Sequence, residues 1–162
     1  MPAATHPYAQ FLGDRDPLEV LEETRGSIPA IADELGPEGL KRSYGPGKWT
    51  GSQVLAHLAD CEIAFAFRVR QIVSEPQKGI QPFDEKRWAH HYDRIDGLQA
   101  ARTFQMVRAW NLAFFRLLRE QELEKAATHP DRGPESAGTV IRILAGHTLN
   151  HLAQLEKIVS TA

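Results

Sequence analysis

Four stretches of the chain repeat their apolar residues at spacings of three and four, the mark of helices that bury one face. The first opens at Asp16-Pro17-Leu18-Glu19, with Asp as N-cap, Pro at the first helical position and Glu able to reach back. Its stripe is Leu21, Thr24, Ile28, Ile31 and Leu35, running to Gly36-Pro37. Pro29 lies inside it and predicts a kink, because it removes a backbone donor. A loop carrying Gly45-Pro46-Gly47 leads to a second capping sequence, Thr50-Gly51-Ser52-Gln53. Val54, Leu58, Cys61, Phe65, Val69 and Ile72 follow as the second stripe, which Pro76 ends. Residues 78–95 have no clean period but are rich in ring side chains (Phe83, Trp88, His90, His91, Tyr92), which predicts a long structured crossover. Asp96-Gly97-Leu98-Gln99 caps the third helix, with stripe Phe104, Val107, Asn111, Phe114 and Leu118 fading near Ala127. After a loop at 129–134, Ser136 caps the fourth, whose stripe is Val140, Leu144, His147, His151, Gln154 and Ile158.

No segment sustains a two-residue alternation, so no sheet is expected. The fold class is all-α, a four-helix bundle whose long second crossover argues against simple up-down-up-down winding. The 162 residues suffice for one domain, with 1–15 as an N-terminal tail. A chain of this size folds on its own core without a disulfide or metal to hold it. Charge narrows the partners. Nineteen Lys and Arg against 21 Asp and Glu leave a net charge of -2, with no basic excess for a phosphate backbone, so nucleic acid is not expected. The longest runs free of charged residues, 1–13 and 143–155, are too short to span a bilayer, and the first lacks the features of a secretory signal. The single cysteine, Cys61, excludes an internal disulfide and fits a reducing cytoplasm.

Chemistry enters where polar residues break into the apolar stripes. His147 and His151 are four apart, so their imidazoles leave one helix face a turn from each other and can meet one cation. A single histidine on such a face is ordinarily satisfied by one hydrogen bond. Two stacked on the centre line have four ring nitrogens to satisfy, in a bundle whose backbone groups are already paired. His57, at the edge of the second stripe, supplies a third ligand. Three neutral imidazoles suit one divalent ion per chain, zinc, nickel or iron(II), and leave positions open for water or substrate. Cys61, four residues after His57, is the competing ligand.

The segment Trp49-Thr50 followed by Val54-Leu55-Ala56-His57-Leu58-Ala59-Asp60, after Gly45-Pro46-Gly47-Lys48, resembles the second-helix signature of the DinB-like (DinB/YfiT) superfamily. His147-Thr148-Leu149-Asn150-His151 resembles its last-helix His-x3-His signature, and Pro82-Phe83-Asp84 with Trp88 resembles its crossover. The likeness runs through residues 16 to 160 in order and spacing. It implies an up-up-down-down bundle, a divalent metal on His57, His147 and His151, and frequent homodimers. It also implies a membership that includes low-molecular-weight-thiol S-transferases and maleylpyruvate isomerases.

Other residues have weaker claims. Asp60 could orient a ligand or act as a base, or form an ordinary flank hydrogen bond. Asn111 is either a buried donor near the site or a packing residue, and Gln154 contacts substrate or closes the core. Trp49 and Trp88 could wall a substrate pocket. His90 and His91 are expected in solvent, and neither His129 nor His6 is given a role. The charge-rich stretch 116–125 reads as a solvated helix end. The reading is an enzyme that activates a low-molecular-weight thiol for transfer to an electrophilic small molecule. The alternatives are a metal-dependent hydrolase or a non-catalytic metal-binding bundle.

Overall fold

The computed structural model describes residues 8–161. Its elements are α1 (Ala9–Leu12), α2 (Pro17–Gly39), α3 (Gly51–Ser74), α4 (Glu85–Trp88), α5 (Gly97–Phe115), α6 (Glu120–Leu123), β1 (Ala126–His129), β2 (Gly133–Ser136) and α7 (Ala137–Ser160). The long helices α2, α3, α5 and α7 form the expected bundle, and their N-termini are fixed by the side chains that the sequence placed there. Asp16 accepts from the amides of Leu18 and Glu19, and Asp96 and Ser136 accept from Gln99 and Thr139. Thr50 and Gln53 close a reciprocal capping box. Each such cap is worth about 1 kcal/mol.

Named contacts give the helix directions. α2 and α5 are antiparallel, with Glu22 meeting Arg116 at one end and Leu40 packed where Gly97 begins α5 at the other. α3 and α5 are parallel, with Ser52 beside Gly97 and Glu62 beside Asn111. α3 and α7 are antiparallel: Phe65 reaches His147 and His57 reaches His151. α2 and α7 are parallel, since Arg142 binds the Gly13 carbonyl and Lys157 lies over Tyr44. The order is therefore up, down, down, up, which differs from the expected up-up-down-down. The loop between α2 and α3 is short, and Gly51 lies against Leu40, so the chain must reverse there. The long crossover then lets α5 start beside the start of α3.

Four further expectations are corrected. The chain does contain a sheet, an antiparallel hairpin pairing Ala126 with Ser136 and His129 with Gly133. Its strands are four residues each, too short for an alternation to stand out. Pro29 is carried with helical backbone, and the break in α2 lies at Gly36, where φ is 62° and glycine is favoured. The third helix ends at Phe115, so 116–125 is a turn and a short α6 rather than one fading helix. Part of the 1–15 tail is docked: Leu12 is buried, and a Cβ on Gly146 of α7 would drive into the Tyr8 carbonyl oxygen.

A polar layer divides the core. One apolar half gathers Leu12, Leu21, Val69, Leu112, Phe115 and Leu144, and the other gathers Ile28, Leu55, Phe104, Leu155 and Ile158. Between them lie Thr24, Glu62, Arg108, Asn111, Thr148 and the three histidines, all buried. Arg108 of α5, fully buried, reaches the other three long helices. Its Nη1 donates to the Leu21 carbonyl and Thr24 Oγ1, and its Nη2 donates to Glu62 Oε1 at 2.6 Å and Thr148 Oγ1 at 2.9 Å. Glu62 also accepts from Asn111 Nδ2 at 3.0 Å. Buried charge is tolerated here because nearly every lone pair and proton is paired.

Candidate metal centre

His57 comes from α3 and His147 and His151 from α7, antiparallel neighbours that turn these faces toward each other. The Nε2 atoms of His57 and His147 are 2.9 Å apart, and those of His147 and His151 are 3.1 Å apart. One ligand atom of each lies within 4.8 Å of the other two. His151 Nδ1 donates to Gln154 Oε1 at 2.9 Å, which puts its proton on Nδ1 and leaves the Nε2 lone pair inward. His147 Nδ1 is buried without a hydrogen-bond partner, so that ring is positioned only through its Nε2 side, toward the other two histidines. Burial, with repulsion from His151, lowers the His57 pKa to about 3. Burial and both neighbours hold His147 well below its ordinary value, and burial lowers His151 against the opposing bond to Gln154. All three are neutral near pH 7, the form that ligates. Three convergent, neutral imidazole nitrogens with no competing acceptor fit a borderline divalent cation.

Cys61 Sγ lies 3.5 Å from His57 Nε2 and 3.9 Å from His147 Nε2. Burial pushes its thiol pKa up, which keeps the proton on sulfur and disfavours it as a ligand against the imidazoles. Trp49 packs its ring 5.0 Å from His57 and 6.3 Å from His151. Trp88 does not wall the pocket. It is 40% exposed and packs on Phe83, whose own ring reaches the cavity. Asp60 accepts from the Tyr92 hydroxyl at 2.7 Å, and Asn111 serves Glu62 in the polar layer.

Two cavities open over the histidines. One, of about 270 Å³, is lined by His57, Cys61, His147, Phe65, Phe83, Arg68 and the turn of the hairpin. The other, of about 330 Å³, is lined by Trp49, Tyr44, Asn150, His151 and Gln154. Tyr8 and Glu85 line both, so they stand between the two mouths. The Tyr8 ring meets His147 edge-on at 5.0 Å. Partial burial raises the Glu85 carboxyl pKa, with Lys86 opposing. His129, buried in β1, accepts from the Asp131 amide and lines the first cavity, so it is not the idle loop residue expected. Tyr8, Glu85 and His129 carry no helical periodicity and were beyond sequence reasoning. Arg68 was not, because it continues the 57, 61, 65 spacing.

The sequence profile of the DinB superfamily matches residues 20–155. The chain belongs to the DinB superfamily. Among its DinB relatives is an Oceanobacillus iheyensis protein named "Putative metal-dependent hydrolase OB0782", 34% identical over 128 residues, covering 77% of this chain and 73% of the relative. The Bacillus subtilis protein named "Putative metal-dependent hydrolase YfiT" is 25% identical over 144 residues, covering 87% and 81%. A solved structure of YfiT, described as having an unusual four-helix bundle topology, superposes with a TM-score of 0.82 at 24% identity, over 90% of this chain and 85% of that one. That match establishes the DinB fold, and the three histidines converge at its centre. Among the described residues no helix is long and apolar enough to cross a membrane.

Proposed function

We propose that His57, His147 and His151 hold one divalent ion, and that the chain activates a low-molecular-weight thiol for S-transfer to an electrophilic small molecule. The observation that carries this reading is the convergence of three neutral imidazole nitrogens at the floor of a cavity open to small solutes. When bound, zinc, nickel or iron(II) supplies Lewis acidity that makes a thiol or water nucleophilic near neutral pH. The chain does the rest. Gln154 fixes the His151 ring, and Trp49 and Phe65 pack against the histidine rings and exclude water from their flanks. Glu85, which lines both cavities, is placed to accept a proton shed at their mouths. Asp60 holds the Tyr92 hydroxyl and has a supporting role.

A hydrolase with water as nucleophile is the second reading, favoured by the names of the relatives. The test is a reconstitution. Chelated protein is reloaded with zinc, nickel or iron(II), and thiol consumption is followed with an alkylating electrophile and several thiols. Metal-dependent conjugation that His147→Ala abolishes is the expected result. Metal-dependent ester or amide cleavage, with no thiol consumed, replaces it with the hydrolase. We also propose a cytoplasmic homodimer, with the exposed rows Ile63 and Phe67 of α3 and Met106 and Trp110 of α5 as the apolar surface available to a second copy.

A further inference from the structure

Arg68 lies on the stripe of α3 that carries His57, Cys61 and Phe65, and it lines the same cavity. Only 6% of it is exposed. The guanidinium sits between two rings, 5.2 Å from the Phe65 centroid and 5.1 Å from that of Phe83. Its Nη2 donates to the Gln81 carbonyl at 3.1 Å. Among the described residues no carboxylate comes within 4.0 Å of it. Glu135 is near enough to be felt but is engaged twice by Arg132, at 2.5 and 3.0 Å. Glu85 and Asp131 also line the cavity without pairing with Arg68.

A buried guanidinium cannot shed its charge, so a missing counter-ion has to be made good by something else. The other buried arginine of the bundle, Arg108, shows the usual solution, a carboxylate and three further acceptors. Arg68 has one carbonyl and two aromatic faces, with its remaining donors beside a cavity. We propose that Arg68 anchors a carboxylate of the small-molecule substrate, holding its other end toward the three histidines. The inference rests on the proposed function for what the substrate does next, but not for whether it binds. The guanidinium lies 5.2 Å from the Phe65 ring centre, and that ring lies 6.1 Å from the His147 ring, so one aromatic ring separates Arg68 from the histidines. The substrate class is therefore an elongated carboxylic acid whose reacting group lies several bonds from the carboxylate. The planar fork suits a carboxylate, and stacking on Phe65 and Phe83 holds that fork in one orientation.

The test uses succinate and its neutral diamide as probes, titrated calorimetrically into zinc-loaded and chelated protein. Succinate is expected to bind at least tenfold more tightly than the diamide in both forms. Arg68→Met should remove that preference, and Arg68→Lys, which keeps the charge but not the fork, should weaken it partly. Zinc content should be unchanged in both variants. Equal binding of the two probes by the chelated protein overturns the proposal. So does a preference that vanishes on chelation but survives Arg68→Met, since the carboxylate then sits at the histidines. A purely structural Arg68 would show as loss of fold in both variants with no succinate preference in the parent. Failure of the thiol assay with this preference intact would sink only the proposed reaction.

Discussion

Removing the Arg108 guanidinium strands a carboxylate at the centre of the bundle. In Arg108→Met, Glu62 keeps one side-chain donor, Asn111, while its own side chain remains about 1% exposed. Thr24, Thr148 and the Leu21 carbonyl lose a shared donor at the same time. Breaking a buried pair from one side costs about 3–5 kcal/mol. For a chain of this size that lowers Tm by roughly 6–20 °C, at about 2–4 °C per kcal/mol. Replacing both charges, Arg108→Met with Glu62→Leu, leaves no uncompensated ion, and should recover most of the loss. Urea unfolding followed by far-UV circular dichroism on the parent, both singles and the double gives the coupling directly. A single variant within about 1 kcal/mol of the parent, or a double that loses the sum of its singles, would refute the reasoning that this pair is held by mutual compensation.

Gln154→Leu frees the His151 ring, and should weaken metal affinity by about 10–100-fold in a chelator competition, with little change in fold. The chelated protein should lose stability as pH falls below about 6.5. His57, His147 and His151 are neutral in the fold and protonate in the unfolded chain, so each contributes stability present above pH 6.5 and lost below it, at about 1.4 kcal/mol per pH unit. Urea midpoints that do not move between pH 7.5 and 5.5 would contradict this. Gly146→Val places side-chain atoms where the Tyr8 backbone lies, and should make the first fifteen residues more quickly cut in limited proteolysis while the bundle stays helical. Trp110→Glu should convert a dimer to a monomer in analytical ultracentrifugation. An unchanged sedimentation coefficient removes that face from consideration.

The parts of this fold written locally were legible, and the parts that depend on the far side of the bundle were not. Asp16, Thr50, Asp96 and Ser136 each act on an amide two or three residues away, so their caps could be read directly. The pair His147 and His151 was legible because the α7 stripe places imidazole where an apolar residue belongs, and His57 followed as a third ligand from the edge of the α3 stripe. Arg108 obeys the same logic, lying four after Phe104 and three before Asn111. Val107 was the more apolar choice for that position, yet it is only half-buried. Charge alone does not reveal a buried arginine until Glu62, 46 residues away, is seen to meet it. Tyr8, Glu85 and His129 reach the cavity from a docked terminus, a one-turn helix and a hairpin, where no periodicity reports direction. Helix order was beyond local pattern as well, since it follows from loop lengths and end packing such as Gly51 on Leu40.

The histidines that meet in space are 90 residues apart along the chain, one on α3 and two on α7. An unfolded polypeptide can therefore offer an ion only part of this ligand set at short range, such as His147 with His151, and closing so long a loop around a bound ion costs entropy that two ligands do not repay. The three ligands come together only when α7, which follows α3 in the chain, docks against it. Uptake of the proposed ion would consequently follow the docking of α7 on α3 and report that step of folding. A variant lacking α7 would keep His57 but lose two of the three imidazoles, and should fail to capture a divalent ion however much metal the compartment contains.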